Sequence, residues 1–428
     1  MKIKVLVFPC GSQAAIDINF ALRYAVRIEL FGASSIDDHG QYVYKNYIGN
    51  LPNIAENHFL EEFNHILQEK QIDFIIPTHD TVALFLKEHE SQLMAKVITA
   101  DLETVRICRY KSLTYNRFSH HLFVPTIYKT VKDVTEYPVF LKPDDGQGGK
   151  GTFLVTNERE LQFYINQFPS LLICEYLPGE EISVDCFTDQ GGNLQIVSPR
   201  NRSRTLAGIS VRTELIDISN EIMETATILN RELSFRGYWF FQMKQDRTGC
   251  YKLLEISSRM ASTSALTVGR DINLALLSIL DFAGINIQIQ PNQYSLEMDR
   301  SFINRYKVGI EYERVYVDLD DTLIMKNKVN AYLLMFLYQC LNEQKELVLI
   351  TKHEHNVYET LETYKIHPML FTKVIHINNS DQKLKYMQTD KLSIFIDNSF
   401  LERKEIRENL GIPSFDVCNV ECLIDWKG

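Results

Sequence analysis

The sequence predicts an α/β protein of several domains, and three observations carry that prediction. Strand-like apolar runs alternate with helix-like patterns from residue 2 to residue 80, the rhythm of a doubly wound parallel sheet. A glycine-rich turn lies between two apolar runs in Tyr137–Val155, YPVFLKPDDGQGGKGTFLV. A later set of apolar runs ends in Asp318, Thr351 and Asp397, chemistry-bearing residues where an α/β sheet would present its carboxyl edge. The expected division is a Rossmann-like domain over 1–105, an α+β domain over 106–290, a linker over 291–310 and a second Rossmann-like domain over 311–428. A chain of 428 residues exceeds what one ordinary core supports.

Composition narrows the class. A formal charge of −10 argues against a general nucleic-acid binder, whose footprint is basic. No run of 18 uncharged apolar residues appears, and MKIKVLVFPCGS reads as a buried strand rather than a signal peptide, so a cytoplasmic protein without a membrane partner is expected. The cysteines Cys10, Cys108, Cys174, Cys186, Cys250, Cys340, Cys418 and Cys422 contain no C-x-x-C pair and read as reduced core residues.

In chain order, Lys2–Phe8 makes the first strand, and Gly11-Ser12 opens a helix with Ile16, Phe20 and Leu22 on one face. A strand over Ile28–Gly32, a helix from about 57 to 70 and a strand over Asp73–Asp80 continue the alternation. The turn Pro9–Ser12 lacks G-x-G-x-x-G, so no dinucleotide site is expected, although such a turn at a helix start can bind a carboxylate or phosphate.

In the middle domain Lys142 ends a strand. Gly146, Gly148, Gly149 and Gly151 free the following loop to adopt positive φ and bring backbone N–H groups close to an anion, with Lys150 adding charge. A further strand ends at Glu175-Tyr176-Leu177, a Pro-Gly turn follows, and another strand starts at Glu181. Arg200, Arg202, Arg204 and Arg212 sit in a strand-loop-strand segment that is either a solvated face or a contact for an acidic substrate. Helices are expected over 220–233 and 273–283. Between them Gln242 and Glu255 lie on strands joined at Thr248-Gly249, and can bring oxygen ligands together for a hard cation, with Arg259 close behind.

These pieces, in this order up to residue 290, resemble the ATP-grasp superfamily, most closely the carbamoyl-phosphate synthetase large-chain type and carboxylate–amine ligases. The resemblance implies a pre-ATP-grasp domain followed by an ATP-grasp domain. It implies that Lys111 and Lys142 contact ATP phosphates, that Gly148, Gly149, Lys150 and Gly151 close over them, that Glu175, Tyr176 and Leu177 meet the adenine and that Glu181 meets the ribose. Gln242 and Glu255 would hold magnesium, and Arg259 would face the transferred phosphoryl group. The family writes Glu-Ile-Asn-Pro-Arg where this chain has Glu255-Ile256-Ser257-Ser258-Arg259, so Ser257 stands where a metal-ligating Asn is expected. From the first domain Thr78, His79 and Asp80 would contact the acceptor, His79 being equally readable as an ordinary turn residue.

The carboxyl-terminal stretch ERVYVDLDDTLI ends a strand in Asp318-x-Asp320-x-Thr322, which lets Asp318 act as nucleophile and Asp320 as acid and base. Thr351 ends a second strand, Lys383 precedes a third, and Asp397 ends a fourth. The set resembles the haloacid dehalogenase superfamily, mainly phosphatases. That resemblance implies Thr351 and Lys383 as a phosphate-binding pair with Lys385 competing for the lysine role, Asp318, Asp320 and Asp397 around magnesium, and Glu402 as an orienting residue. The spacing leaves no room for a cap domain.

Together the resemblances imply a bifunctional enzyme: an ATP- and Mg2+-dependent carboxylate–amine ligase working through an acyl phosphate, joined to a phosphatase that forms an aspartyl phosphate. The alternatives are a small-molecule kinase with a phosphatase, or a phosphatase governed by a nucleotide-sensing ATP-grasp module. The implied partners are a small carboxylate, an amine and a phosphomonoester, with oligomerisation left open.

Overall fold

Ile3–Phe8 lies at the centre of a five-stranded parallel sheet in a computed structural model that describes residues 2–206 and 208–427. It is flanked by Ile28–Ala33 and Phe74–Pro77, with Asn46–Ile48 and Lys96–Val97 at the edges. A central parallel strand is covered on both faces, so its sequence is apolar without alternation, and Val5, Leu6 and Val7 are fully buried. Ser12 caps the helix Gln13–Leu22 by accepting a hydrogen bond from the Ala15 N–H. The expected helix face is corrected here: Ala14, Ala15, Ile18 and Leu22 are buried, whereas Ile16 and Phe20 are only partly covered. Small alanines allow close approach, and Ala15 and Ile18 share a core with Ala275 and Ile279 of the helix Leu274–Phe282. The strand expected as far as Asp80 stops at Pro77, because Asp80 opens the helix Asp80–Glu88.

Two antiparallel four-stranded sheets follow. One runs Ile127–Tyr128, Leu171–Glu175, Val139–Pro143, Phe153–Val155. The other runs Leu194–Asn201, Glu181–Thr188, Gly237–Gln245, Tyr251–Ser257. The helix Asn220–Glu232 covers the second sheet, where Trp239 stacks on Phe235 at 4.0 Å and its indole N–H donates to the Thr188 hydroxyl at 2.8 Å.

The stretch 291–310, expected to be an irregular linker, contains the strand Glu297–Asp299, which pairs antiparallel with Ile209–Glu214. Alternating charge hides it in the sequence, since Arg204 pairs with Asp299 at 2.8 Å and Arg212 with Glu297 at 2.7 Å. The first structural unit therefore reaches Phe302, and the second begins at Ile303.

The second unit is built on a five-stranded parallel sheet in the order Lys373–His376, Glu346–Thr351, Arg314–Val317, Ser393–Ile396, Ser414–Phe415. The helices Ala331–Asn342, Val357–Thr363 and Phe400–Leu410 accompany it. Val317 is in register with both Leu349 and Ile396, so the three central strands end nearly level. Lys383 follows the third strand, Lys373–His376, rather than preceding it; four residues at a half-covered edge give too little pattern to mark a strand.

All eight cysteines are free, and Cys250 and Cys418 are exposed rather than in the core. Cys418 lies in the short 3-10 helix Val417–Asn419, and Cys250 lies between the Thr248-Gly249 turn and the strand Tyr251–Ser257. Among the described residues no helix is long and apolar enough to cross a membrane.

Candidate active sites

The glycine loop is held from below by the helix Lys111–Arg117. Ser112 donates from its backbone N–H and its hydroxyl to the Asp144 carboxylate, each at 2.7 Å, and the Lys111 ammonium donates to the Gly146 carbonyl at 2.7 Å. Gly148, Gly149 and Gly151 have φ of 61°, 69° and 72°, a left-handed path that residues with a β-carbon adopt at a cost. Lys142 is buried, donates to the Tyr115 hydroxyl and stands 4.8 Å from the centre of that ring. Lys111 lies 4.0 Å from the Glu255 carboxylate; burial lowers its pKa and Glu255 partly restores it.

A cavity of about 450 Å³ opens above this loop, walled by Gly148, Lys150, Arg200, Arg202, Gln242, Glu255 and Arg259 with Thr78 and His79 from the first sheet. Gln242 and Glu255 face each other across the hairpin, and Phe240 faces Ser257. Below the cavity, a space of about 40 Å³ is bounded by Asp80, Lys111, Glu255, Ser257 and Arg259. An amide oxygen, a carboxylate and a hydroxyl at neighbouring positions form the donor set that a hard divalent cation takes. Magnesium therefore fits Gln242, Glu255 and Ser257.

Asp80 ties this region together. Its Oδ1 accepts from the Ser257 hydroxyl at 2.5 Å, and its Oδ2 accepts from Arg259 Nε at 2.8 Å and Gln147 Nε2 at 2.7 Å. Burial works to raise the Asp80 pKa, but Arg259 and the Ser257 hydrogen bond outweigh it and hold the carboxyl below its ordinary range. Gln147 was not singled out from sequence; its signal is a lone amide side chain among glycines, at the loop's crest.

Other expected residues stand apart from the cavity. Lys142, Glu175, Tyr176, Leu177 and Glu181 are not on its wall. Glu175 accepts from the Thr126 N–H at 2.9 Å, and Glu181 pairs with Arg202 at 2.8 Å. The arginine segment divides into two pairs. Arg200 and Arg202 reach the cavity wall, Arg200 while ion-paired with buried Asp185, whereas Arg204 and Arg212 are exposed and paired with Asp299 and Glu297.

In the second unit, the level strand ends bring Asp318, Thr351 and Asp397 to one edge. The Lys383 ammonium donates to Asp318 Oδ1 and to Asp397 Oδ2, each at 2.6 Å, with its side chain only 3% exposed. Burial pushes Asp318 and Asp397 upward in pKa, while Lys383 opposes that rise. The Thr351 hydroxyl is buried without a hydrogen-bond partner. Asp320 is half-exposed and hydrogen-bonds His353 Nδ1 at 2.8 Å, and Thr322 links Asp318 to Asn398. Glu402 accepts from Lys352 at 2.6 Å rather than from the Asp318 group. Lys385 is exposed and pairs with Asp381, so only Lys383 joins the carboxylates.

Comparison with known proteins bears on the first unit. Residues 167–301 match a family described as ATP-grasp in the biosynthetic pathway with Ter operon. The chain is 26% identical over 235 residues to a carbamoyl-phosphate synthase of Methanobrevibacter smithii, covering 50% of this chain and 63% of that protein. It is 31% identical over 81 residues to a D-alanine–D-alanine ligase of Petrotoga mobilis, covering 17% of this chain and 27% of that one. The chain thus spans less than two thirds of either relative. The biotin carboxylase domain of Hydrogenobacter thermophilus 2-oxoglutarate carboxylase, solved with MgADP, ADP and bicarbonate, superposes with a TM-score of 0.56 at 18% identity over 68% of this chain and 72% of that one. Residues 167–301 thus carry an ATP-grasp likeness, and the chain is similar in part of its sequence to a carbamoyl-phosphate synthase and a D-alanine–D-alanine ligase and in fold to a biotin carboxylase domain.

Proposed function

We propose that the first unit is an ATP-dependent carboxylate–amine ligase. ATP phosphorylates a small carboxylate, and an amine then displaces phosphate to form the amide. The supporting observation is convergence: the glycine loop, the Gln242–Glu255 hairpin and Arg259 meet at one cavity. Lys111, on the wall of the smaller space, neutralises phosphate charge, the loop N–H groups hold phosphate oxygens, and Arg259 stands over the transferred group. Gln242, Glu255 and Ser257 would hold magnesium, which would supply charge neutralisation on the phosphates. Arg202 and Lys150 on the wall suit an anionic acceptor. Incubation of the chain with MgATP and paired panels of carboxylates and amines tests the reading. Amide product with ADP supports it, whereas a phosphorylated product with no amine requirement replaces the ligase with a kinase.

A second activity is proposed for the second unit on a separate observation, the buried Lys383 between Asp318 and Asp397. There a phosphomonoester transfers its phosphoryl group to Asp318 while Asp320 protonates the leaving oxygen, and water then releases phosphate. The unpartnered Thr351 hydroxyl is a ready donor to a phosphate oxygen. Asp318 and Asp397 would hold magnesium, which would offset the phosphate charge alongside Lys383. Hydrolysis of a chromogenic phosphomonoester that disappears in Asp318→Asn is the test.

A further inference from the structure

Asp80 opens the helix Asp80–Glu88 that follows the first sheet, far in sequence from the metal hairpin, yet it contacts three parts of the nucleotide site at once. Its carboxylate meets Ser257 at the metal position, Arg259 at the phosphoryl position and Gln147 in the glycine loop. A serine at a metal position faces two difficulties, a shorter reach than asparagine and a hydroxyl whose proton can point at the cation. The second is removed here. The Ser257 hydrogen is committed to Asp80 Oδ1 at 2.5 Å, and of the two lone pairs one takes a long contact from the Arg259 backbone N–H at 3.4 Å. The other is left for a cation. A carboxylate accepting this proton also raises the donor strength of the oxygen. The first difficulty is met by placement, since Ser257 is 3% exposed and ends a strand in register with Phe240.

We infer that Asp80 is the positioning residue that makes Ser257 serve as a magnesium ligand, and that by holding Arg259 through Nε, while Nη1 donates to the Met260 carbonyl at 3.2 Å, it leaves Nη2 to face phosphate. The inference rests on the ATP-site reading of the first unit. Asp80 is thereby a part of the metal and phosphoryl site rather than an acceptor contact, and the serine is a rebuilt ligand rather than a defect. The outer partner of a metal ligand typically contributes 10–100-fold in metal affinity.

The test is Mn2+ binding, followed by electron paramagnetic resonance on the full chain with a saturating non-hydrolysable ATP analogue. Asp80→Ala is expected to weaken Mn2+ by about tenfold or more. In a Ser257→Asn background, where the asparagine brings its own amide oxygen, the same change is expected to cost less than about twofold. Asp80→Asn keeps the shape of a largely buried side chain, and its carbonyl still accepts from Ser257, so its loss should fall well below that of Asp80→Ala. Equal weakening by Asp80→Ala in both backgrounds, no weakening in either, or a loss in Asp80→Asn as large as in Asp80→Ala overturns the inference alone. A wild-type chain that binds the analogue in none of these conditions overturns the ATP-site reading and the inference with it.

Discussion

The ammonium of Lys383 bridges the carboxylates of Asp318 and Asp397 at 2.6 Å each, joining residues 65 and 14 positions away from it in the chain. Lys385, two residues on, turns outward to Asp381. Lys383→Ala is therefore expected to lower phosphomonoester hydrolysis by at least about 100-fold, the scale for removing one fixed charge from a developing phosphate, whereas Lys385→Ala leaves it unchanged. Steady-state assays on both variants check this, and a comparable loss in the two would reject the assignment of the lysine.

In the first unit, Lys111→Ala and Glu255→Gln are expected to cut ADP formation by two or more orders of magnitude, roughly the value of a phosphate cation or metal carboxylate in such transfers. The phosphatase activity should be untouched, because neither residue lies in the second unit. A variant of either kind that forms ADP at the wild-type rate removes the ATP site from this cavity.

Much of this was legible because the signals are local. The glycine loop, the Gln242–Glu255 hairpin and the Asp318-x-Asp320-x-Thr322 strand end each carry their chemistry within a few residues of a backbone feature that fixes it. What escaped is of two kinds. Weak pattern hid the strand Glu297–Asp299, whose three residues are held to a neighbour by exposed ion pairs rather than burial. Distance hid the Asp80 cluster: Ser257 is 177 residues from Asp80, and no periodicity links residues brought together only by tertiary packing. The face of Gln13–Leu22 was misjudged for a third reason, because close packing selects small alanines where apolarity alone selects Ile16 and Phe20.

Asp185 and Arg200 form an ion pair in which both side chains are 1% exposed, with Arg200 Nε also donating to the Thr263 hydroxyl at 2.8 Å. Burial raises the Asp185 pKa even against Arg200, which marks a pair whose desolvation cost is high. Asp185→Asn leaves the guanidinium buried and uncompensated, so a loss of about 3–5 kcal/mol is expected, while the double change Asp185→Leu with Arg200→Met should cost clearly less. Denaturant unfolding of the first unit, followed through Trp239 in a Trp426→Phe background, gives both values. A double variant as unstable as the sum of its parts would show that the charges stabilise the fold outright.

Asp17 supplies the pH dependence. It is 3% exposed on the helix Gln13–Leu22, accepts from Arg300 at 2.8 Å and from Gln13 at 3.1 Å, and is pushed by burial, against the pull of Arg300, from 3.8 up to about 6. A carboxyl with a raised pKa favours the fold in its protonated form. Its contribution is therefore fully present below about pH 4 and is lost as pH rises through about 6. The interval of about two pH units, at about 1.4 kcal/mol each, makes that loss on the order of 3 kcal/mol between pH 4 and pH 7. Asp17→Asn is neutral throughout, so the stability of wild type relative to Asp17→Asn should decline across this range and level off above pH 7. Unfolding curves for both chains at half-unit steps from pH 4 to pH 8 measure it. A difference that stays flat would mean that Arg300 holds Asp17 ionised in the fold, and a difference that grows with pH would reverse the balance argued between burial and the ion pair.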